Sequence, residues 1–175
     1  EVTTDLTPAV DFELTAGQKI QANSADLDVS NYSTPFVVDW NNDFKKDLII
    51  GNGNGVVTYF ENQGTDGTPS FTTDAMILSQ GSFLAPFVVD WNVNNRKDLV
   101  IGDRFGQVRF YQNVGSDDSP TFIVATAQSV VETPDFAVPV VGDWNNDTRK
   151  DLVVGDGAGN LHLFINTGTD ELPAF

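Results

Sequence analysis

A nine-residue loop that occurs three times constrains the fold of this chain more than any other feature. The copies span residues 39–47, 90–98 and 143–151, at intervals of 51 and 53 residues. Each copy begins Asp-Trp-Asn and ends with two basic residues and an Asp, and a Leu follows it. Self-similarity at such a period indicates a repeat architecture, in which successive units of one design pack against each other.

The loop lies between short apolar runs that are rich in β-branched residues and bounded by Gly, Asn or Asp, which predicts buried β-strands joined by tight turns. The predicted first strands are 36–38, 87–89 and 140–142, and the second strands are 48–51, 99–102 and 152–155. Third strands are predicted at 57–62, 108–113 and 161–166, and fourth strands at 71–78 and 122–131. Four antiparallel strands in one repeat predict a β-propeller blade, with very low helix content overall.

The phase of the repeat predicts how the chain is divided. We expect one repeat domain, 1–175, with an orphan fourth strand at about 10–29, blades at about 36–79 and 87–131, and an incomplete blade at about 140–175. Unpaired strand edges at both ends favour pairing between chains, so a homodimer that closes a six-bladed ring is predicted. The alternative is a segment excised from a longer propeller, and a start at Glu1 is typical of a processed or excised product.

Charge narrows the range of partners. The net charge is −16, which disfavours nucleic acid and anionic membrane surfaces. The three loops hold 8 carboxylates and 6 basic residues and are nearly neutral, so the remaining surface carries most of the charge. There are no cysteines, and no apolar run approaches the roughly 20 residues needed to span a bilayer.

Oxygen-bearing groups at loop positions 1, 3, 5, 7 and 9 are spaced as a hard cation would require. Carboxylates, amide oxygens and a backbone carbonyl suit calcium, whereas magnesium prefers fewer protein ligands, and zinc is disfavoured by one His and no Cys. Asp and Asn side chains also stabilise such loops without metal by binding nearby N–H groups, and this alternative stays open. The candidate calcium ligands, with carbonyls at position 7, are Asp39, Asn41, Asp43, Lys45 and Asp47, then Asp90, Asn92, Asn94, Arg96 and Asp98, then Asp143, Asn145, Asp147, Arg149 and Asp151.

The loop resembles the Asp-x-Asp-x-Asp-Gly-x-x-Asp-Leu segment of FG-GAP/VCBS repeats, which occur in integrin alpha-type propellers and in propeller lectins. The similarity covers about residues 8–175, and the segment 83–86, Phe-Leu-Ala-Pro, is similar to the namesake sequence of the family. The resemblance implies a secreted β-propeller with calcium between the first and second strands, used for adhesion or glycan binding.

Two departures from that pattern bear on the calcium prediction. Position 6, where the family has Gly, is Phe44, Asn95 and Thr148, and positive φ at this position would strain Phe44 and Thr148. Two cations occupy positions 7 and 8 of every loop, where they either point outward or neutralise the loop carboxylates in place of a metal.

No catalytic constellation stands out from the repeat, so no catalytic residue is predicted and an enzyme of polysaccharide-lyase type ranks third. The first hypothesis is a non-enzymatic extracellular binding module for a glycan or a protein, and the second is a structural unit that assembles through strand exchange. The repeated Trp40, Trp91 and Trp144 are expected to pack between blades rather than to stack on sugars. His162 occupies a slot that varies between copies, and Asp103 and Asp156 are expected to form turns.

Overall fold

The computed structural model describes residue 17, residues 19–122 and residues 129–175, and all statements below concern these residues. Their fold is all-β, with no helix among the described residues and several sheets of which none is closed. The low helix content expected from the sequence is therefore confirmed.

The first sheet contains six strands. They are β1 (Gln21–Ala22), β2 (Ala25–Asp26), β3 (Thr34–Val38), β4 (Asp47–Gly51), β5 (Val56–Asn62) and β6 (Phe71–Ser79). Their order is β2-β1-β6-β5-β4-β3, and β3 to β6 form an antiparallel meander to which the short β1–β2 hairpin attaches at the outer edge.

The second and third sheets repeat the meander. The second contains β7 (Ala85–Val89), β8 (Asp98–Gly102), β9 (Gln107–Tyr111) and β10 (Ser129–Glu132), in the order β10-β9-β8-β7. The third contains β11 (Val138–Gly142), β12 (Asp151–Gly155) and β13 (Leu161–Phe164), in that order. Among the described residues, no fourth strand pairs with β13.

For the first, second and third strands of each unit, the predicted and observed bounds agree to within about two residues. The predicted fourth strand at 71–78 corresponds to β6. The prediction at 122–131 meets β10 at its end, while residues 123–128 lie outside the described residues. Within the predicted orphan strand at 10–29, the described part forms β1 and β2, and residues 10–16 and 18 lie outside it.

The hydrophobic core lies between consecutive sheets. The first strands β3, β7 and β11 are neighbours, and Phe36 packs edge-on against Phe87 with 4.8 Å between ring centroids. Side chains alternate between the two faces of a strand, so each sheet can bury one face against the sheet before it and the other against the sheet after it. We call the contact of the first and second sheets the first joint, and that of the second and third sheets the second joint.

Glycine allows the backbones to approach closely at both joints. A Cβ on Gly51 would lie 1.9 Å from the carbonyl oxygen of Leu84, and one on Gly102 would lie 2.1 Å from that of Ala137. Backbone hydrogen bonds seal the same places, from Leu84 N to Asn52 O at 3.0 Å and from Ala137 N to Asp103 O at 2.9 Å. The sheets are therefore joined in one repeating geometry that leaves no room for a side chain at these two glycines.

Candidate functional site

The carboxylate at loop position 1 closes each loop on its own backbone. Asp39 accepts hydrogen bonds from the amides of Asp43 at 3.1 Å and Phe44 at 2.9 Å. Asp90 makes the equivalent pair at 2.9 and 2.7 Å, and Asp143 makes it at 3.0 and 2.8 Å. Such side-chain-to-backbone bonds stabilise a loop without a ligand.

These bonds hold a strained backbone. Position 6 has positive φ in all three loops, at 67° for Phe44, 62° for Asn95 and 71° for Thr148. Position 4 is also left-handed, with φ of 58° even at the β-branched Val93. Non-glycine residues lose about 1–2 kcal/mol in this region, so the expected strain at Phe44 and Thr148 is present and is outweighed by the loop's hydrogen bonds.

Positions 3 and 5 extend the same network. Asn41 Oδ1 accepts from Asp43 N at 3.1 Å, and Asp43 Oδ1 accepts from Lys45 N at 3.0 Å. The third loop repeats both bonds, with acceptors Asn145 at 3.1 Å and Asp147 at 2.9 Å. In the second loop Asn94 accepts from Arg96 N at 2.9 Å, while Asn92 Oδ1 is buried without a partner among the described residues.

The carboxylate at position 9 is fully buried and serves the strands. Asp47 accepts from Trp40 N at 2.9 Å, from Asn62 N at 2.8 Å and from the Tyr59 hydroxyl at 3.2 Å. The two carboxylate oxygens together tie the start of the loop, at Trp40, to the end of the third strand, at Asn62. Asp98 and Asp151 make the two equivalent amide bonds at 2.8–3.0 Å in the other units.

The cation at position 7 neutralises the carboxylate at position 5 wherever there is one. Lys45 Nζ lies 3.1 Å from Asp43 Oδ2, and Arg149 forms an ion pair with Asp147. In the second loop position 5 is the neutral Asn94, and Arg96 donates instead to the Gly115 carbonyl at 3.3 Å. In the first and third loops, the cation therefore balances the carboxylate charge that a bound metal ion would otherwise balance.

The lysine at position 8 forms a clasp that sequence reasoning missed. Its amide and its ammonium group both bind one aspartate that lies 20 residues further along the chain, in the turn after the third strand. Lys97 N and Nζ lie 2.8 and 2.9 Å from the two Asp117 oxygens. The same clasp joins Lys46 to Asp66 and Lys150 to Asp170. The repetition of Asp at this interval was the available signal.

Charge and burial shift several carboxyl pKa values in opposite directions. Burial raises the pKa of Asp98 to about 6, although amide donors from Asn113 and Trp91 oppose the shift. The hydrogen bond and charge of Lys46 hold the pKa of Asp66 below its usual value. At Asp43, desolvation is outweighed by the hydrogen bonds and charge of Lys45, and the pKa is lowered.

The oxygen ligands that the loops offer fit a calcium ion poorly. Calcium takes about six to eight oxygens, yet the position 9 carboxylates face backbone amides and those at position 5 carry a cation. Among the described residues no group of three or more His, Cys, Asp or Glu side chains is placed to hold a metal ion. The predicted calcium ligands of the three loops, the side chains together with the carbonyls of Lys45, Arg96 and Arg149, stay a prediction.

A cleft of about 340 Å³ opens at the first joint. Its apolar lining is formed by Tyr59, Ile77 and Pro120, together with the buried Trp40. Its polar lining consists of an amide and three carboxylates, from Asn41, Glu61, Asp117 and Asp118. Sequence reasoning missed this cleft because its two sides come from units about 50 residues apart.

The second joint has a different lining at the same place. Phe110 replaces Tyr59 and Gln112 replaces Glu61, so a hydroxyl and a carboxylate are lost. Trp91 Nε1 is buried there without a hydrogen-bond partner among the described residues. The two joints are therefore chemically distinct although their frameworks match.

The tryptophans pack between sheets where a following sheet exists. Trp40 and Trp91 are 1% and 2% exposed, whereas Trp144 is 63% exposed. Trp40 contacts Tyr59 and Phe122, with ring centroids 6.1 and 6.3 Å away. Neither buried ring offers a face for stacking on a sugar.

The turn aspartates act as expected, and one of them engages the single histidine. Asp103 and Asp156 accept hydrogen bonds from amides of their own turns at 2.8–3.1 Å. Asp156 also lies 2.8 Å from His162 Nε2, and this hydrogen bond lowers the Asp156 pKa. Arg109 makes the equivalent contact to Asp103 at 2.8 Å, which indicates a structural role for both pairs.

Comparisons with protein-family models, with curated proteins and with solved structures find no match to this chain. No helix in the described part is long and apolar enough to cross a membrane.

Proposed function

We propose that this chain is a non-enzymatic extracellular binding module that recognises a glycan in the cleft at the first joint. The observation that carries the proposal is the combination of lining groups in that cleft. The cleft combines apolar groups from Tyr59, Ile77 and Pro120 with carboxylate and amide oxygens that accept hydrogen bonds. Sugars present apolar C–H faces and hydroxyl donors side by side, which suits such a lining.

Size and charge are consistent with this ligand. The cleft volume lies near the lower end of the range of about 300–1,000 Å³ that is usual for small-molecule sites. Asp117 is already held by Lys97 and by Asn42 Nδ2 at 3.0 Å. Glu61 accepts from two neutral amides, Asn41 Nδ2 at 3.3 Å and Gln63 Nε2 at 3.1 Å, and carries no ion pair within the described part of the chain, so Glu61 and Asp118 are the carboxylates we assign to sugar hydroxyls. Among the described residues, the lining of the cleft includes no Lys or Arg, which disfavours acidic sugars.

The scaffold we propose is a set of β-propeller blades. Three meanders of one design, neighbouring first strands and a repeated joint support it. We further propose that the loops between first and second strands are closed without calcium, and that in the first and third loops the cation at position 7 takes its place. The ion pair of Lys45 with Asp43 supports this assignment.

A glycan array followed by calorimetric titration of the best neutral sugar tests the binding proposal. Glu61→Gln and Asp118→Asn are each expected to weaken binding about tenfold, the loss of one charge-assisted hydrogen bond. Glu171→Gln is the matched control, because Glu171 occupies the place of Asp118 at the second joint. No binding on the array, or equal affinity of wild type and both cleft variants, would refute the proposal. Binding of choline in place of sugars would assign the cleft to a cationic ligand instead.

A further inference from the structure

The third sheet exposes a face that the other two sheets bury. Leu161 is 79% exposed, whereas Val57 and Val108, which hold the same register opposite Gly51 and Gly102, are both 0% exposed. Further exposed apolar side chains of this region are Val138, Val140, Trp144 and Leu163. Since the first two sheets bury this face under a following sheet, the third presents one complete half of a joint.

Gly155 is a second sign that a backbone belongs there. It is aligned with Gly51 and Gly102, whose places in the joints exclude any side chain. A Cβ on Gly155 would meet only Leu161 Cδ2, at 3.8 Å, and the residue does not have positive φ. Neither conformation nor contact within the described chain therefore requires glycine at this position.

A polar bridge crosses the first joint, and the third and first sheets carry the two halves of a second bridge of the same kind. Asn42 at loop position 4 accepts from Lys97 Nζ at 2.6 Å and donates to Asp117 Oδ2 at 3.0 Å. The second joint lacks the bridge because position 4 is Val93. The third loop again has an asparagine, Asn146, and the first sheet has an exposed clasp of lysine and aspartate. Asn146 and that clasp complement each other as Asn42 complements Lys97 and Asp117.

The first sheet also carries a substitute for a preceding fourth strand. Leu78 stands five residues before Phe83 and Val131 five residues before Phe136. Each belongs to the hydrophobic cluster that contains the second strand of the next unit. Leu27 stands five residues before Tyr32 and packs on Leu48 and Ile50 in the same way. Among the described residues, the third sheet has no fourth strand. The first sheet already carries the segment around Leu27, from its own N-terminal side, in the place that the fourth strand of a preceding unit would take.

An aromatic row ends at the same two surfaces. Tyr32, Phe83 and Phe136 are stacked edge-on, with centroid separations of 5.5 and 5.0 Å. Tyr32 stays largely exposed at the first sheet, so the row can continue from the Phe136 of one copy to the Tyr32 of another.

We propose that the exposed face of the third sheet binds the first sheet of a second copy of this chain, head to tail. Leu161 then pairs with Leu27 of the second copy, as Val57 pairs with Leu78 and Val108 with Val131. Gly155 lies against the backbone of the second copy near Ser33, and Asn146 bridges its Lys46 and Asp66. Reciprocal joints close a pair of chains with twofold symmetry and six units in the ring. This inference is independent of glycan binding.

Light scattering coupled to size-exclusion chromatography, over a hundredfold range of concentration, measures the assembly. The expected mass is twice 19.0 kDa. Gly155→Ala is expected to raise the dissociation constant at least tenfold with an unchanged circular dichroism spectrum. Gly142→Ala is the matched control, because its Cβ would meet no atom within 4 Å and larger residues stand at this place in the other units.

Leu27→Asp separates head-to-tail pairing from pairing of two third-sheet faces. It is expected to dissociate the pair, and Tyr32→Ser is the second variant if Leu27→Asp does not fold. Wild-type chains that stay monomeric, a Gly155→Ala variant that associates like wild type, or pairs unaffected by the Leu27 and Tyr32 changes would each overturn the proposal. Open filaments whose length grows with concentration would overturn the closed ring.

Discussion

Asp47→Ala tests whether the position 9 carboxylate is a structural clamp. The substitution removes the acceptor for Trp40 N, Asn62 N and the Tyr59 hydroxyl. A buried donor left unpaired costs about 1–3 kcal/mol. Because Trp40 and Asn62 are buried, their two amides lose their acceptor where water does not replace it. Tyr59 keeps a further interaction, and its hydroxyl loses less. The three losses together should lower the free energy of unfolding by about 3–6 kcal/mol.

The third unit supplies an internal comparison. Asp151 makes the same two amide bonds, but Trp144 is mostly exposed and the place of Tyr59 is taken by Leu163, which has no hydroxyl. Water can reach the freed Trp144 amide, so Asp151→Ala should cost about half as much, roughly 1–3 kcal/mol.

Urea unfolding monitored by tryptophan fluorescence measures both variants, and Asp118→Ala on the cleft rim is the control, with an expected change within about 0.5 kcal/mol. A loss below about 1 kcal/mol for Asp47→Ala would refute the clamp, since it would mean that the donors find other partners at little cost. Equal losses of stability for Asp47→Ala and Asp151→Ala would refute the claim that the contribution of the clamp depends on a joint that buries it.

Gly102→Ala places a Cβ against the Ala137 carbonyl and should destabilise the chain by about 2 kcal/mol or more in urea unfolding. An unchanged free energy of unfolding would contradict the tight joint. The raised Asp98 pKa means that its proton binds the folded state more tightly, so this group adds stability as pH falls through about 6 towards 3.8. Between pH 8 and pH 5 the gain should be about 1 kcal/mol, and Asp98→Asn should remove that part of the pH profile. Phe44→Gly relieves the left-handed strain and should raise the free energy of unfolding by up to about 1 kcal/mol; a decrease would contradict it. Calcium and chelator should leave the melting temperature unchanged, whereas a calcium-dependent rise of several degrees would restore the metal interpretation.

Much of the fold follows from local sequence signals. Runs such as 48–51 combine β-branched residues with a bounding Gly, and the structure has β4 there. The position of these strands depends on neighbours in sequence, and therefore a single chain reveals it. Whether such sheets form propeller blades and close a ring, in contrast, depends on how whole sheets pack, which no local pattern specifies.

The site was less predictable than the strands. The spacing of Asp39, Asp43 and Asp47 suits a cation, but the same oxygens satisfy the loop's own amides in the structure. Spacing alone does not distinguish these uses, because both require oxygens at alternate positions. The clasp of Lys97 with Asp117 and the cleft beside it depend on contacts between distant segments, so motif reasoning did not find them.

The self-contained closure of each loop has a consequence for how such a chain could change length in evolution. Each unit satisfies its own loop amides and clamps its inner three strands with an internal carboxylate, so a duplicated unit arrives with these loop amides already paired. The joint glycine, the backbone hydrogen bonds across the joint and the apolar faces are the parts that need a neighbour. Stability should then grow by one joint for each added unit, and gene duplication or loss can alter the number of units without redesign of any one of them.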